Sequence, residues 1–299
     1  MTPTQLDTDP LLVASGAAQQ DLPARSLYVV ATPIGNLADI TLRALWVLSK
    51  VDAIAAEDTR TTGALLRRYG IETPLRAAHE HNERQAATAI VERLRAGGRI
   101  ALVTDAGTPA ISDPGARLVR AVLDAGLRVI PVPGASSLTA AASTAGLSGS
   151  LLTFAGFLPA GARERQRLLR ELAARGEPFV LFEAPHRVTA TAAELADVLG
   201  RERRVVVARE LTKKFETLLP CLAGELREAI GDEPRGEYVL LVDAAADAAA
   251  DIDAVTRRWL AALAEALPAS RAAALAAKVS GVPREQLYAL LTREGPARL

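Results

Sequence analysis

Residues 105–115, DAGTPAISDPG, constrain this chain more than any other stretch. They follow an apolar run at 100–103 and precede a helix-like stretch at 116–125. Two prolines and two glycines in so short a span make a stiff, sharply bent loop with exposed backbone groups. A plain strand-to-helix turn needs only about two to six residues. The extra length and the composition therefore point to a ligand-holding loop. Such loops sit at the carboxyl ends of strands in open α/β sheets.

With 299 residues the chain can form about two domains with sizeable cores. Aromatic residues make up only 4%, so those cores are aliphatic. No apolar run approaches the roughly 18 residues of a membrane span. The first 25 residues lack the basic start and apolar block of a secretory signal and are expected to form a disordered, mildly acidic tail. A single cysteine, Cys221, excludes an internal disulfide framework and a cysteine-rich metal site, which suits a reduced cytoplasm. Equal numbers of basic and acidic residues, 35 each, leave no global field to attract nucleic acid. Local bias is different: Arg163, Arg165, Arg167 and Arg170 form one cluster, Arg201, Arg203 and Arg204 a second, and Arg209, Lys213 and Lys214 a third. Arginine-rich helix faces are commonly solvated surface, yet three clusters in one half of the chain lean toward an anionic partner.

From Ser26 onward, short β-branched runs at 27–31, 53–56, 99–104 and 128–132 alternate with helical patterns at 40–49, 61–69, 83–95 and 114–125. That βαβ rhythm predicts a mostly parallel sheet covered by helices over 26–148. A second α/β domain over 149–243 is expected from strands at 151–157, 179–183, 204–208, 216–219 and 238–242, with an arginine-rich helix at 162–174. Residues 244–253, alanine and aspartate with no large apolar side chain, read as a linker, and 254–299 as a helical extension.

Several polar loops converge on one sheet edge: TPIGNLADIT at 32–41, EDTR at 57–60, the 105–115 loop and VPGASS at 132–137. Neither a GxGxxG fingerprint nor a GK[ST] phosphate loop is among them, which argues against a nicotinamide dinucleotide and against an ordinary P-loop nucleotidase. Together with HEHNE, GFLP, EAPHR, RELTKKFE and GEYVLLV, these segments closely resemble the ribosomal RNA small-subunit methyltransferase I family, the 16S rRNA cytidine 2′-O-methyltransferases of the tetrapyrrole-methylase superfamily. The resemblance runs from about Leu27 to Val242, and PASRAAALAAKVSGVPREQLY resembles that family's helix-turn-helix extension.

The resemblance implies two α/β domains of tetrapyrrole-methylase type with S-adenosylmethionine in the cleft between them, no metal, and a homodimer. The implied substrate is a cytidine of the decoding region, in 16S rRNA or the small ribosomal subunit; a membrane is not among the expected partners. Carried over residue by residue, cofactor contacts fall on Pro33 and Gly35, on Ala106, Gly107, Thr108 and Ile111, and on Ser136 and Ser137. In the second domain they fall near Glu183, on Leu211 within 210–212, and on Gly236 and Glu237 within 236–238. Two departures stand out: Phe215 where RELTKxHE has histidine, and EAPHR in place of ESPHR.

Methyl transfer from a sulfonium needs in-line alignment, so positioning supplies much of the rate. A ribose hydroxyl also has a proton to lose, so a base or a polarising cation helps. His186 is the leading candidate for that proton, with Glu183 to orient it and Arg187 to hold a phosphate. A helix-start histidine satisfying backbone groups is the plain alternative, and Glu210 and Lys213 are weaker candidates. HEHNE at 79–83 lacks a nearby third histidine and reads as a substrate-facing loop or a helix cap rather than a metal site. Residues 254–299 carry seven basic and three acidic side chains, an excess of four that suits RNA contact. Two rival readings stay open: a non-catalytic RNA-binding ribosome-assembly factor, and a small-molecule methylase acting on a tetrapyrrole.

Overall fold

The computed structural model describes residues 9–79, 82–149, 151–245 and 254–294. The chain divides into two compact units, Met1–Asp243 and Ala244–Leu299.

In the first unit β1 (Ser26–Val30), β2 (Ala53–Ala56), β3 (Leu75–Ala77), β4 (Arg99–Val103) and β5 (Arg128–Val132) form a sheet in the order β3-β2-β4-β1-β5. Every pairing in it is parallel. Parallel sheets are covered on both faces, which is why these strands are apolar at nearly every position. Tyr28 and Val30 face a core shared with Trp46 and Leu66, whereas Leu27 faces one shared with Ile90 and Leu118. The helices of this half are α1 (Asp9–Ala14), α2 (Leu42–Lys50), α3 (Thr59–Arg68), α4 (Glu83–Arg95), α5 (Ala116–Asp124) and α6 (Ser137–Ala145). Side-chain oxygens start two of them: Thr41 caps α2 and Asp58 caps α3.

The second sheet is mixed. Its strands are β6 (Thr153–Phe157), β7 (Phe179–Glu183), β8 (Arg204–Arg209), β9 (Thr217–Leu222) and β10 (Tyr238–Val242), in the order β6-β7-β10-β8-β9. Only β6 and β7 run parallel; β10 is antiparallel to both its neighbours. Helices α7 (Ala162–Ala174), α8 (Pro185–Leu199) and the short α9 (Leu226–Ile230) cover one face. The other face, Val180, Val206, Val239 and Leu241, packs on Ala141 and Ala145 of α6. Thus α6 ties the two sheets into one body.

Three segments differ from expectation. The supposed disordered tail contains α1, because Leu12 and Ala17 bury themselves against the α2 core and hold residues 9–19 there. The edge strand β3 is only three residues long, too short for an alternation to register. Strand β9 continues through Pro220, tolerated because β9 is an edge strand and needs no second ladder there. The expected linker lies mostly outside the described residues.

The second unit comprises α10 (Ala254–Ala266), α11 (Ala269–Ser280) and α12 (Arg284–Glu294), packed around Leu260, Ala273, Ala276, Leu287 and Leu290. No helix among the described residues is long and apolar enough to cross a membrane.

Candidate active site

The loops leaving β1, β2, β4 and β5 are laced together at the carboxyl edge of the first sheet. Thr32 and Gly107 exchange backbone hydrogen bonds at 2.9 and 3.0 Å. The Thr104 hydroxyl donates to Glu57 at 2.6 Å, and the Asp58 N–H donates to the Asp105 carboxylate at 3.1 Å. Thr108 donates to the Ala135 carbonyl at 3.1 Å, joining the 105–115 loop to the loop after β5. The bent loop needs left-handed backbone at Gly107 (φ 83°) and Gly115 (φ 124°), and it forces Ala110 (φ 69°) and Ser112 (φ 63°) there too. Non-glycine residues in that region carry strain of about 1–3 kcal/mol each, a pattern concentrated at functional sites. Buried Glu83 offsets part of it: its carboxylate accepts the N–H groups of Gly115, Arg117 and Leu118 at 3.0–3.3 Å, capping α5.

The second sheet closes on this edge through the turn after β8. Asn36 N–H donates to the Thr212 hydroxyl at 3.1 Å. A Cβ at Gly35 would fall onto the Lys213 side chain and within 3.0 Å of the Leu211 carbonyl, so only glycine allows the approach. Lys213 ties Glu210 (2.8 Å) to Glu237 (3.4 Å), and Gly236 leaves the space that the Glu210 carboxylate fills.

Between the sheets lies a cleft of about 400 Å³. One wall presents Glu57, Thr104, Asp105 and Asp113; the other presents Phe157, Phe182, Glu183, Glu237 and Tyr238. Burial, reinforced by the negative charge of Glu57, pushes the Asp113 carboxyl up to about 6. Loss of water also raises Asp105, with Glu57 adding to the shift. The Phe157 and Phe182 rings meet edge to face at 5.7 Å. The Tyr238 hydroxyl is buried without a hydrogen-bond partner, a cost normally avoided. An acidic, part-aromatic cleft with one orphaned hydroxyl suits a cationic ligand that carries a flat ring and polar edges.

Of the residues expected to bind cofactor, Ala106, Ile111, Ser137, Leu211 and Glu237 line this cleft, as does Glu183. Gly107, Thr108, Ser136, Gly35 and Gly236 stand just outside it: the first two lace the loops, Ser136 precedes α6, and the glycines permit close approach. Pro33 lines a smaller neighbouring hollow instead. The trio drawn from EAPHR is not assembled as expected. His186 is exposed and lies off the cleft lining. The Glu183 carboxylate accepts from Thr191 at 2.7 Å and from the Ala184 N–H at 3.0 Å, and it pairs with Arg187 at 3.3 Å. Arg187 in turn donates to the Leu158 and Pro159 carbonyls. Both charges are spent on fixing the start of α8 rather than on a histidine or a phosphate. Phe215 is exposed, with the Lys214 ammonium 5.4 Å from its ring, and takes no part in the cleft lining. Sequence reasoning passed over Asp113, Phe157 and Phe182. The aspartate sat unremarked inside the loop already singled out, and the phenylalanines looked like ordinary strand residues.

Such a molecule is a two-sheet α/β enzyme with a cation-favouring ligand cleft between the sheets. Its fold is similar to that of a cobalamin biosynthetic enzyme, cobalt precorrin-4 methyltransferase (TM-score 0.56, 18% identity, 73% of this chain and 95% of that one). It is similar also to uroporphyrin-III-C-methyltransferase from Thermus thermophilus (TM-score 0.52, 18% identity, 73% and 94%). The family model for tetrapyrrole (corrin/porphyrin) methylases matches residues 26–227, and that for the RsmI C-terminal HTH domain matches 248–294. Proteins named ribosomal RNA small subunit methyltransferase I are similar over most of their length. The one from Neisseria meningitidis serogroup B is 49% identical over 89% of this chain and 92% of its own. Those of Pseudomonas aeruginosa (47%, 91% and 99%) and Escherichia coli O157:H7 (46%, 88% and 93%) are similar as well. The chain belongs to the tetrapyrrole methylases, within the ribosomal RNA small subunit methyltransferase I family.

Proposed function

We propose that this protein transfers a methyl group from S-adenosylmethionine to the ribose 2′-hydroxyl of a cytidine in the decoding region of 16S rRNA. Near-full-length similarity, at close to half identity, to proteins named for methylating small-subunit RNA carries the reading. The cleft supports it chemically. When bound, the donor supplies a methyl group on a cationic sulfur. Glu57, Asp105 and Asp113 balance positive charge there, Phe157 and Phe182 offer faces to a flat ring, and the Tyr238 hydroxyl gains a partner. Walls from both sheets would hold the donor and orient the acceptor hydroxyl toward its methyl group. Asp113 lines the same cleft, and with its carboxyl raised to about 6 by burial it is the group we assign to accept the proton that the ribose hydroxyl loses.

The chain acts in the cytoplasm, where ribosomal subunits are made, and as a homodimer. Exposed Leu218 and Leu219 on the edge strand β9 support the pairing. Calorimetric titration with S-adenosylmethionine, run beside Gly107→Val, is the direct test. The φ of 83° at Gly107 rejects a β-branched side chain, so the variant loses the loop and with it the binding. Mass spectrometry of small subunits lacking the modification then shows one added methyl on a cytidine ribose. A folded protein that neither binds donor nor methylates subunits would instead be an RNA-binding assembly factor.

A further inference from the structure

Beside the cleft lies a second hollow of about 210 Å³, lined by Pro33, Leu37, Thr61, Thr62, Ala64 and Leu65. It also shares Thr104 and Asp105 with the cleft, so the end of β4 is a wall common to both. We propose that this hollow seats the base of the acceptor nucleotide, with its ribose passing over the Thr104–Asp105 wall toward the donor. The inference rests on the methyltransferase reading above and specifies where its acceptor binds.

Methyl transfer in line requires the acceptor oxygen to lie within contact of the donor, so the acceptor subsite must adjoin the donor cleft. The roomier hollow of about 570 Å³ between α4 and the first sheet shares no residue with the cleft. The smaller hollow lies below the roughly 300–1,000 Å³ that takes a whole drug-sized ligand, so it accommodates one ring and not a macrocycle. A single base reaches it only when turned out of its stack, as enzymes acting on nucleotides in RNA require. Its walls suit such a guest: Pro33, Leu37 and Leu65 supply apolar flanks, and Thr61 and Thr62 supply hydroxyls at the ring edge. Helix α3, which provides half of the lining, also carries exposed Arg60 and Arg67. Arg60 lies next to Thr61 in the chain and is anchored to Asp58 at 2.6 Å, with a side chain 91% exposed. These two charges lie on the same helix as the lining residues and add attraction for a phosphate backbone near it.

The test uses the full chain, calorimetric donor binding, and steady-state methylation of small subunits that lack the modification. Ala64→Trp fills the hollow: kcat/KM is expected to fall about tenfold or more, because the base can no longer be seated and the acceptor oxygen loses its alignment, with donor affinity unchanged. Arg67→Glu is expected to raise KM and to lessen its dependence on salt. Wild-type kcat/KM in Ala64→Trp with intact donor binding would overturn the proposal. If the tryptophan disturbs the fold, seen as lost donor binding, wild-type kcat/KM in Thr61→Tyr, which narrows the hollow from an exposed position, overturns it instead. Failure of the unaltered protein to methylate subunits would count against the methyltransferase reading rather than the subsite.

Discussion

Asp113 shows how a single residue trades stability for function. Its carboxyl is held near 6 in the folded chain against an ordinary value near 4, chiefly because burial removes water from the charged form. A folded-state value above the unfolded one means that the native protein binds the extra proton. The stability this proton confers is complete below about pH 4 and is lost as pH rises through 6. Asp113→Asn keeps a neutral side chain throughout. Denaturant unfolding at pH 8 should therefore find the variant more stable by about 1–3 kcal/mol, with the gap closing by pH 4. Turnover should fall in the same variant if Asp113 is the base proposed above, whereas a variant no more stable at pH 8 would disprove the strained carboxylate. Nothing in the sequence marked Asp113 apart from Asp105, because burial and the nearness of Glu57 arise only when β2 and β4 come together. Glu83 teaches the converse. HEHNE could be read as a substrate loop or a cap, and the carboxylate proves to cap α5, a helix that begins 33 residues later, a partnership no local pattern announces.

Among the elements, α7 carries arginines of two kinds. Arg165 is nearly buried and grips the Glu194 carboxylate of α8 through its Nε and Nη2 while Nη1 donates to the Ala160 carbonyl, which braces the two helices and the turn before α7. Arg163 and Arg167 are exposed on the same helix. Arg165→Met should cost about 1–3 kcal/mol in denaturant unfolding, since Glu194 is left short of its partner in a poorly solvated place. Arg163→Glu with Arg167→Glu should leave stability within about 0.5 kcal/mol and weaken subunit binding, more so at low salt. Equal stability losses in both variants would mean that the cluster is uniformly structural. The sequence could group these arginines but could not separate them, because i and i+2 lie on different sides of a helix and only the packed partner tells them apart. The same limit explains the elements. Strands with β-branched runs, such as β1, β4 and β10, could be read directly. The helix α6, SLTAAASTA, has almost no large side chains to show a period, and it is the one that joins the sheets.

At the scale of the molecule, a chain with no net charge has to reach an anionic substrate through patches. The three-helix unit has its own core of Leu260, Leu287, Leu290 and close-packed alanines, and the first unit has its cores without it. Each unit is thus built on apolar clusters of its own, and the sequence of 254–299 carries an excess of four positive charges. Surface charge of that kind attracts phosphate backbones without reading sequence, and its contribution scales with the counterions released. A chain ending at Asp243 should keep its donor affinity, as the Met1–Asp243 unit is compact and holds both sheets and the cleft. Its KM for small subunits should rise about tenfold, and the slope of binding against salt should become shallower. A truncated chain with the full-length KM and salt slope would show that the helical unit makes no contact with RNA. Recognition would then fall to the arginines of α7 and α3, which the charge reversals on those helices test directly.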